Sequence, residues 1–102
     1  MADVSEPFFE DLGAGRARLT LVRDTQAGPQ TCEITWHHRS DGMRVLDHTF
    51  VPPALTGQGL AAILTEAALR LAEKERVKIV PQCSYVARWI ERHSSWQDLV
   101  AS

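Results

Sequence analysis

Residues 47–61 read DHTFVPPALTGQGLA, and the order of events within them decides the fold. A β-type run ends at Pro52-Pro53, because proline lacks the N–H that a sheet ladder needs. A short loop then delivers Gly57-Gln58-Gly59 to the first turn of a strong helical pattern. Upstream of the prolines, apolar residues recur every second position. Downstream they recur at helical spacing. Glycines at such a junction let the backbone come close to a ligand, and the free N–H groups of a helix start favour a phosphate.

Upstream, residues 16–23 (RARLTLVR) alternate, with Ala17, Leu19 and Leu21 on one face. Residues 31–38 alternate again, with Cys32, Ile34 and Trp36 on one face and Thr31, Glu33, Thr35 and His37 on the other. Gly28-Pro29 marks a turn between them, and Asp41-Gly42 marks a hairpin before a third strand over 43–51. These strands form an antiparallel meander. Residues 1–15 are expected to be an N-terminal arm anchored by Phe8 and Phe9 and broken by Gly13 and Gly15.

Downstream, Leu60, Ile63, Leu64, Ala67, Ala68, Leu71 and Ala72 define the inner face of a helix, with Thr56 as a candidate cap. Residues 77–80 form a short strand that Pro81 ends, parallel to the third strand after the helical crossover. A second helix over 85–93 turns Val86, Trp89 and Ile90 inward, and Trp96, Leu99 and Val100 pack back from the tail. The order β-β-β-α-β-α predicts an α+β (mixed α/β) fold, one domain over 16–102, with a mostly antiparallel sheet and one parallel pair.

The chain has 102 residues, with 13 acidic residues against 11 basic ones. The charges are interspersed, which argues against a general nucleic-acid binder or a basic membrane-surface protein. No apolar run reaches membrane-spanning length, and the N-terminus has no apolar signal region, so a cytoplasmic protein with reduced thiols is expected. A monomer or weak homodimer follows from the modest core. His37, His38, His48 and Cys83 lack the paired spacings of a zinc site, and no metal is expected.

Three residues can carry chemistry. Cys83 lies within Val80-Pro81-Gln82-Cys83-Ser84-Tyr85, just past a strand and just before a helix, where a helix N-terminus favours the thiolate. Parallel pairing brings it toward Val51 and the glycine loop. His48, on the third strand, reads as a general base or as the partner of the thiol, and Tyr85 as a proton donor to a leaving thiolate. His37 and His38 read as exposed hairpin residues. The Gly57-Gln58-Gly59 turn has no Lys-Ser or Lys-Thr after it and no third glycine, so it matches neither a nucleoside-triphosphate loop nor a dinucleotide fingerprint. A backbone cradle for a diphosphate remains, with a plain turn before a helix as the alternative.

Together, His48-Thr49-Phe50-Val51-Pro52, Gly57-Gln58-Gly59-Leu60-Ala61, Leu64, Ala67-Ala68-Leu69, Val80 to Tyr85 and Ile90-Glu91-Arg92-His93 resemble the GNAT superfamily of acetyl-CoA-dependent N-acetyltransferases. Within it, the short single-domain YjdJ-type subgroup is the most similar. The resemblance spans residues 16–96. It implies acetyl-CoA bound by Val51, Thr56, Gly57, Gln58, Gly59, Leu60 and Ala61, with the pantetheine between the splayed third and fourth strands. It places the acetyl group near His48 and Cys83, with an amine, not identified further, as acceptor. An acetyl-thiol intermediate on Cys83 is one route and direct transfer another. Ala54 stands where the superfamily usually has Gln or Arg, and Thr56 where many short relatives have a basic residue. Both remove a phosphate contact. No helical stretch precedes the first strand, although such helices form much of the acceptor site in larger relatives. A non-catalytic acyl-CoA-binding module is the alternative, and a redox-sensing thiol protein is a third reading.

Overall fold

The computed structural model describes residues 6–101; the first five residues of the expected arm and Ser102 lie outside the described residues. Five strands form one sheet in chain order: β1 (Phe8–Gly13), β2 (Arg16–Thr25), β3 (Gly28–His38), β4 (Arg44–Phe50) and β5 (Ile79–Pro81). The first four are antiparallel. β5 returns parallel to β4 after helix α1 (Leu60–Glu75), pairing Arg44 with Ile79, Val45 with Val80 and Leu46 with Pro81. Helix α2 (Ser84–Arg92) and a 3₁₀ turn (Ser94–Leu99) complete the chain. The α+β class and the mostly antiparallel sheet with one parallel pair are those the pattern predicts.

The order gains a strand at its front. Part of the expected arm is β1, hydrogen-bonded along β2. Two adjacent phenylalanines and flanking acids hide it from a period-two reading, since an edge strand exposed on both sides needs no alternation. The turn expected around Gly28-Pro29 is also tighter, because Gly28 and Pro29 already pair with Thr25 and Asp24. Thr25 closes it, donating its hydroxyl to the Gly28 carbonyl at 2.7 Å and accepting from the Ala27 N–H.

One core forms on one face of the sheet. Leu19, Leu21, Cys32, Ile34, Trp36 and Leu46 meet Leu64, Ala68, Leu69 and Ala72 of α1 and Val86, Trp89 and Ile90 of α2. The buried stripe of α1 is rotated from the expected one: Leu69 is fully buried while Ile63 is exposed. Trp96, Leu99 and Val100 pack against this core as expected, and Val100 bridges to Ile79, covering the outer edge of β5.

The β3–β4 ladder slips at one point. Trp36 pairs with Leu46 but Thr35 pairs with His48, so Asp47 is an extra residue, a β-bulge. Leu46, opposite Trp36, and Thr49, opposite Ile34, lie on the core face. His48, opposite Thr35, lies on the other. The bulge sits immediately beyond Leu46, where β4 and β5 stop pairing.

Candidate active site

Past Val51 the chain makes a 3₁₀ turn (Pro53–Leu55) whose last N–H bonds come from Leu55 to the Pro52 carbonyl and from Thr56 to the Pro53 carbonyl. Gly57 and Gly59 then take φ of +87° and +74°, values that L side chains rarely adopt. Gly59 is the N-cap of α1, and no side chain caps the helix, so the capping role expected of Thr56 is not filled. Its hydroxyl precedes the cap by three residues, and the left-handed glycine itself turns the chain into the helix. The first intrahelical bond runs from the Ile63 N–H to the Gly59 carbonyl at 3.2 Å. The N–H groups of Leu60, Ala61 and Ala62 precede it and lack intrahelical acceptors.

These residues wall a cleft of about 240 Å³, lined by Val51, Leu55, Thr56, Gly57, Gly59, Leu60, Ala61 and Tyr85. The structure thus gathers Val51, the two glycines, the helix start and Tyr85 around one space. Gln58 is not among them. It lines a neighbouring depression with Ala54 and the β2–β3 turn. Leu55 is a lining residue the sequence reading missed, since a leucine in a loop gives no pattern. A roomier groove of about 430 Å³ lies between β1 and the middle of α1, but no helix N-terminus opens into it.

Cys83 is the N-cap of α2, with its carbonyl accepting from Ala87 and its N–H donating to the Leu46 carbonyl across the end of the parallel pair. Its sulfur lies 3.6 Å from the Thr49 hydroxyl. Burial opposes ionisation of the thiol. The Val86 and Tyr85 N–H groups and Thr49 outweigh it, leaving Cys83 below its ordinary value. The neutral thiol makes no capping hydrogen bond; these donors act on the thiolate. Burial shifts Tyr85 the other way, keeping its phenol protonated to higher pH.

His48 is not joined to Cys83. It lies on the opposite face of β4 from Thr49, 54% exposed, with Nε2 3.7 Å from a Glu33 carboxylate oxygen. The side-chain partner of the thiol is Thr49, so the pairing of His48 with Cys83 expected from the sequence is not formed. Around His48 lies a polar cluster the sequence reading did not assemble. Asp47, its side chain only 14% exposed, accepts from the Thr35 hydroxyl and lies 2.6 Å from His37 Nδ1. Burial works against the Asp47 carboxylate, but the bonds from Thr35 and His37 hold its pKa below the usual value. Arg18 binds Glu33 at 2.8 Å and Glu10 at 2.6 Å. His37 therefore does not behave as a bare hairpin residue. Only the bulge, invisible in a linear pattern, turns Asp47 toward it.

A parallel pair whose ladder ends at Leu46 and Pro81, a glycine turn feeding a helix and a capping cysteine define a mixed-sheet domain with a cleft at the start of that helix. The chain belongs to the GCN5-related N-acetyl-transferase family, whose model matches residues 20–99. It is also similar to the NMR solution structure of a GCN5-like protein from Staphylococcus aureus, itself an inferred N-acetyltransferase. The two share 25% identity over 97% of this chain and 92% of that one, with a TM-score of 0.65. Among the described residues, no helix is long and apolar enough to cross a membrane.

Proposed function

We propose that this chain is an acetyl-CoA-dependent N-acetyltransferase of the short YjdJ-type kind, acting on an amine. The observation that carries the reading is the cleft that joins the glycine turn and the open start of α1 to Tyr85, two residues from Cys83. Its donor set fits a diphosphate. Unpaired N–H groups converge there with the positive end of the α1 dipole, and open space lies off the Cα atoms of Gly57 and Gly59. Val51, Leu55 and Leu60 offer an apolar wall to a pantetheine arm. The Thr56 N–H, already given to Pro53, is not available. No cationic side chain lines the cleft, so affinity rests on amides and dipole and is modest.

Bound acetyl-CoA supplies an acetyl thioester. Cys83, as thiolate, either accepts the acetyl group or contacts it, and Thr49 steadies the sulfur in both cases. Tyr85, which lines the cleft, returns a proton to the departing thiolate in this reading. His48 serves as a base toward the amine from the open sheet face. The absence of a cation in the cleft favours one second reading, a non-catalytic acyl-CoA-binding module.

Intact-protein mass after incubation with acetyl-CoA, beside calorimetric titration of CoA, separates these. We expect binding and a gain of one acetyl group that Cys83→Ala abolishes while keeping CoA affinity. Binding without mass gain leaves direct transfer or the binding module, which amine turnover then distinguishes. No binding returns Gly57 and Gly59 to a plain turn.

A further inference from the structure

Helix α2 carries two arginines whose charge nothing in the fold uses. Arg88 and Arg92 are exposed, and neither side chain has a hydrogen bond or ion pair among the described residues. Their positions on the helix are not random. A helix turns about 100° per residue, so Arg92 stands within about 20° of Tyr85 around the axis and Arg88 within about 60°. Val86, Trp89 and Ile90 take the buried side. Glu91, the one acid of α2, stands about 120° from Tyr85, off this flank. The flank that Tyr85 shares with the two arginines is the one turned to the glycine turn, because Tyr85 lines the cleft with Gly57, Gly59, Leu60 and Ala61. The charge of Arg92 is felt there: burial keeps the Tyr85 phenol protonated to higher pH, and Arg92 works against it. The cleft itself has no cationic lining residue, so these two cations stand at its border rather than in it.

We infer that Arg88 and Arg92 form a second anion subsite beside the cleft, and that it takes the 3′-phosphate of CoA. This rests on the acetyl-CoA reading above. CoA carries two anionic groups, a diphosphate and a ribose 3′-phosphate at its adenosine end. The amides and dipole at the start of α1 serve the first. They leave the second, a phosphomonoester of roughly −1.5 to −2 charge near neutral pH, without a partner. The direction of α2 assigns one. Cys83 caps its start, so a pantetheine whose thioester meets that thiol leads toward the first turn. An extended cofactor then sends its adenosine the opposite way. From Tyr85 the helix runs that way too, reaching Arg88 after about 4.5 Å of axis and Arg92 after about 10.5 Å. Arginine suits the task, because its planar fork of donors matches the oxygens of a phosphate.

Calorimetric titration with CoA and with dephospho-CoA tests it, since the two ligands differ only in the 3′-phosphate. The wild-type protein should bind CoA about 10-fold more tightly, the worth of two exposed charge pairs. Arg92→Gln should shrink that preference. Arg88→Gln combined with Arg92→Gln should abolish it while leaving dephospho-CoA affinity as in the wild type. Lys74→Gln removes an equal charge on the β1 side of α1 and should leave the preference unaltered. Both ligands are read on one preparation, so partial unfolding cannot mimic the change. Equal wild-type affinity for CoA and dephospho-CoA overturns the subsite. A preference that survives the double substitution overturns its assignment to these arginines, and so does an equal loss in Lys74→Gln. Binding of neither ligand overturns the acetyl-CoA reading beneath, and the subsite with it.

Discussion

Cys83 draws its character from neighbours on two different elements. Its main-chain position is local: a residue between a strand end and a helix start becomes an N-cap. The Thr49 hydroxyl, 34 positions away in sequence, is tertiary. Since burial of the sulfur works against the thiolate, each donor matters to the balance. Thr49→Val removes a donor to the charged form, so the thiol pKa should rise. The midpoint of iodoacetamide alkylation against pH should move upward from its wild-type position, which itself lies below the ordinary thiol value. An unmoved midpoint would assign the shift to backbone groups, those of Tyr85 and Val86 in α2 together with that of Thr49. The two histidines show the same division. Alternation alone assigns His37 and His48 to solvent-facing strand positions, which is where they are. What changes their meaning is Asp47, carried toward His37 by one extra residue in β4.

At the scale of elements, the join between β4 and α1 does what its sequence implies. Prolines end strand pairing, two left-handed glycines reverse the chain, and the helix starts with its first amides open. Nothing lies within 4 Å of a Cβ built on Gly59, so a substitution there meets only backbone strain. Gly59→Ala should therefore cost about 1–2 kcal/mol of stability, measured by urea unfolding. It should also weaken CoA binding as the first amides turn away, read by calorimetry. Unaltered CoA affinity with the full stability loss would separate the turn from the ligand. The helix itself is less fully specified. Its apolar residues cover more than one stripe, so Leu69 or Ile63 can equally face inward by periodicity, and packing against the sheet selects Leu69.

Across the whole molecule, one buried cation ties the far end of α1 to β4. Arg44, its side chain 5% exposed, pairs with Glu75 and lies 5.4 Å from the Trp36 ring centre. Its Nε and Nη1 are buried without hydrogen-bond partners. Removing the carboxylate strands the charge. Because Glu75 is half-exposed, Glu75→Gln should cost about 1–2 kcal/mol, between the values for exposed and buried pairs. Arg44→Met removes the charge together with its unpaired donors and should cost less than Glu75→Gln. The reverse order in chemical denaturation would mean that the guanidinium stabilises chiefly through Trp36. The sheet also separates two groups of side chains. Its core face and strand ends carry the cleft and Cys83, while its open face carries the histidines and Asp47.

By itself, the sequence determined what depends on neighbours along the chain. It set the period-two strands, the switch to helical spacing after Pro52-Pro53, the glycine turn and the cysteine at a helix start. These follow from local sterics and hydrogen bonding, which act over a few residues. It left β1 unread, because an edge strand buries too little to need a pattern. Only the tertiary structure decided which side chains meet: Thr49 with Cys83, Asp47 with His37 and Thr35, and Tyr85 with the glycine turn. Those meetings depend on strand register, and a single bulged residue changes the register without leaving a mark in composition or spacing.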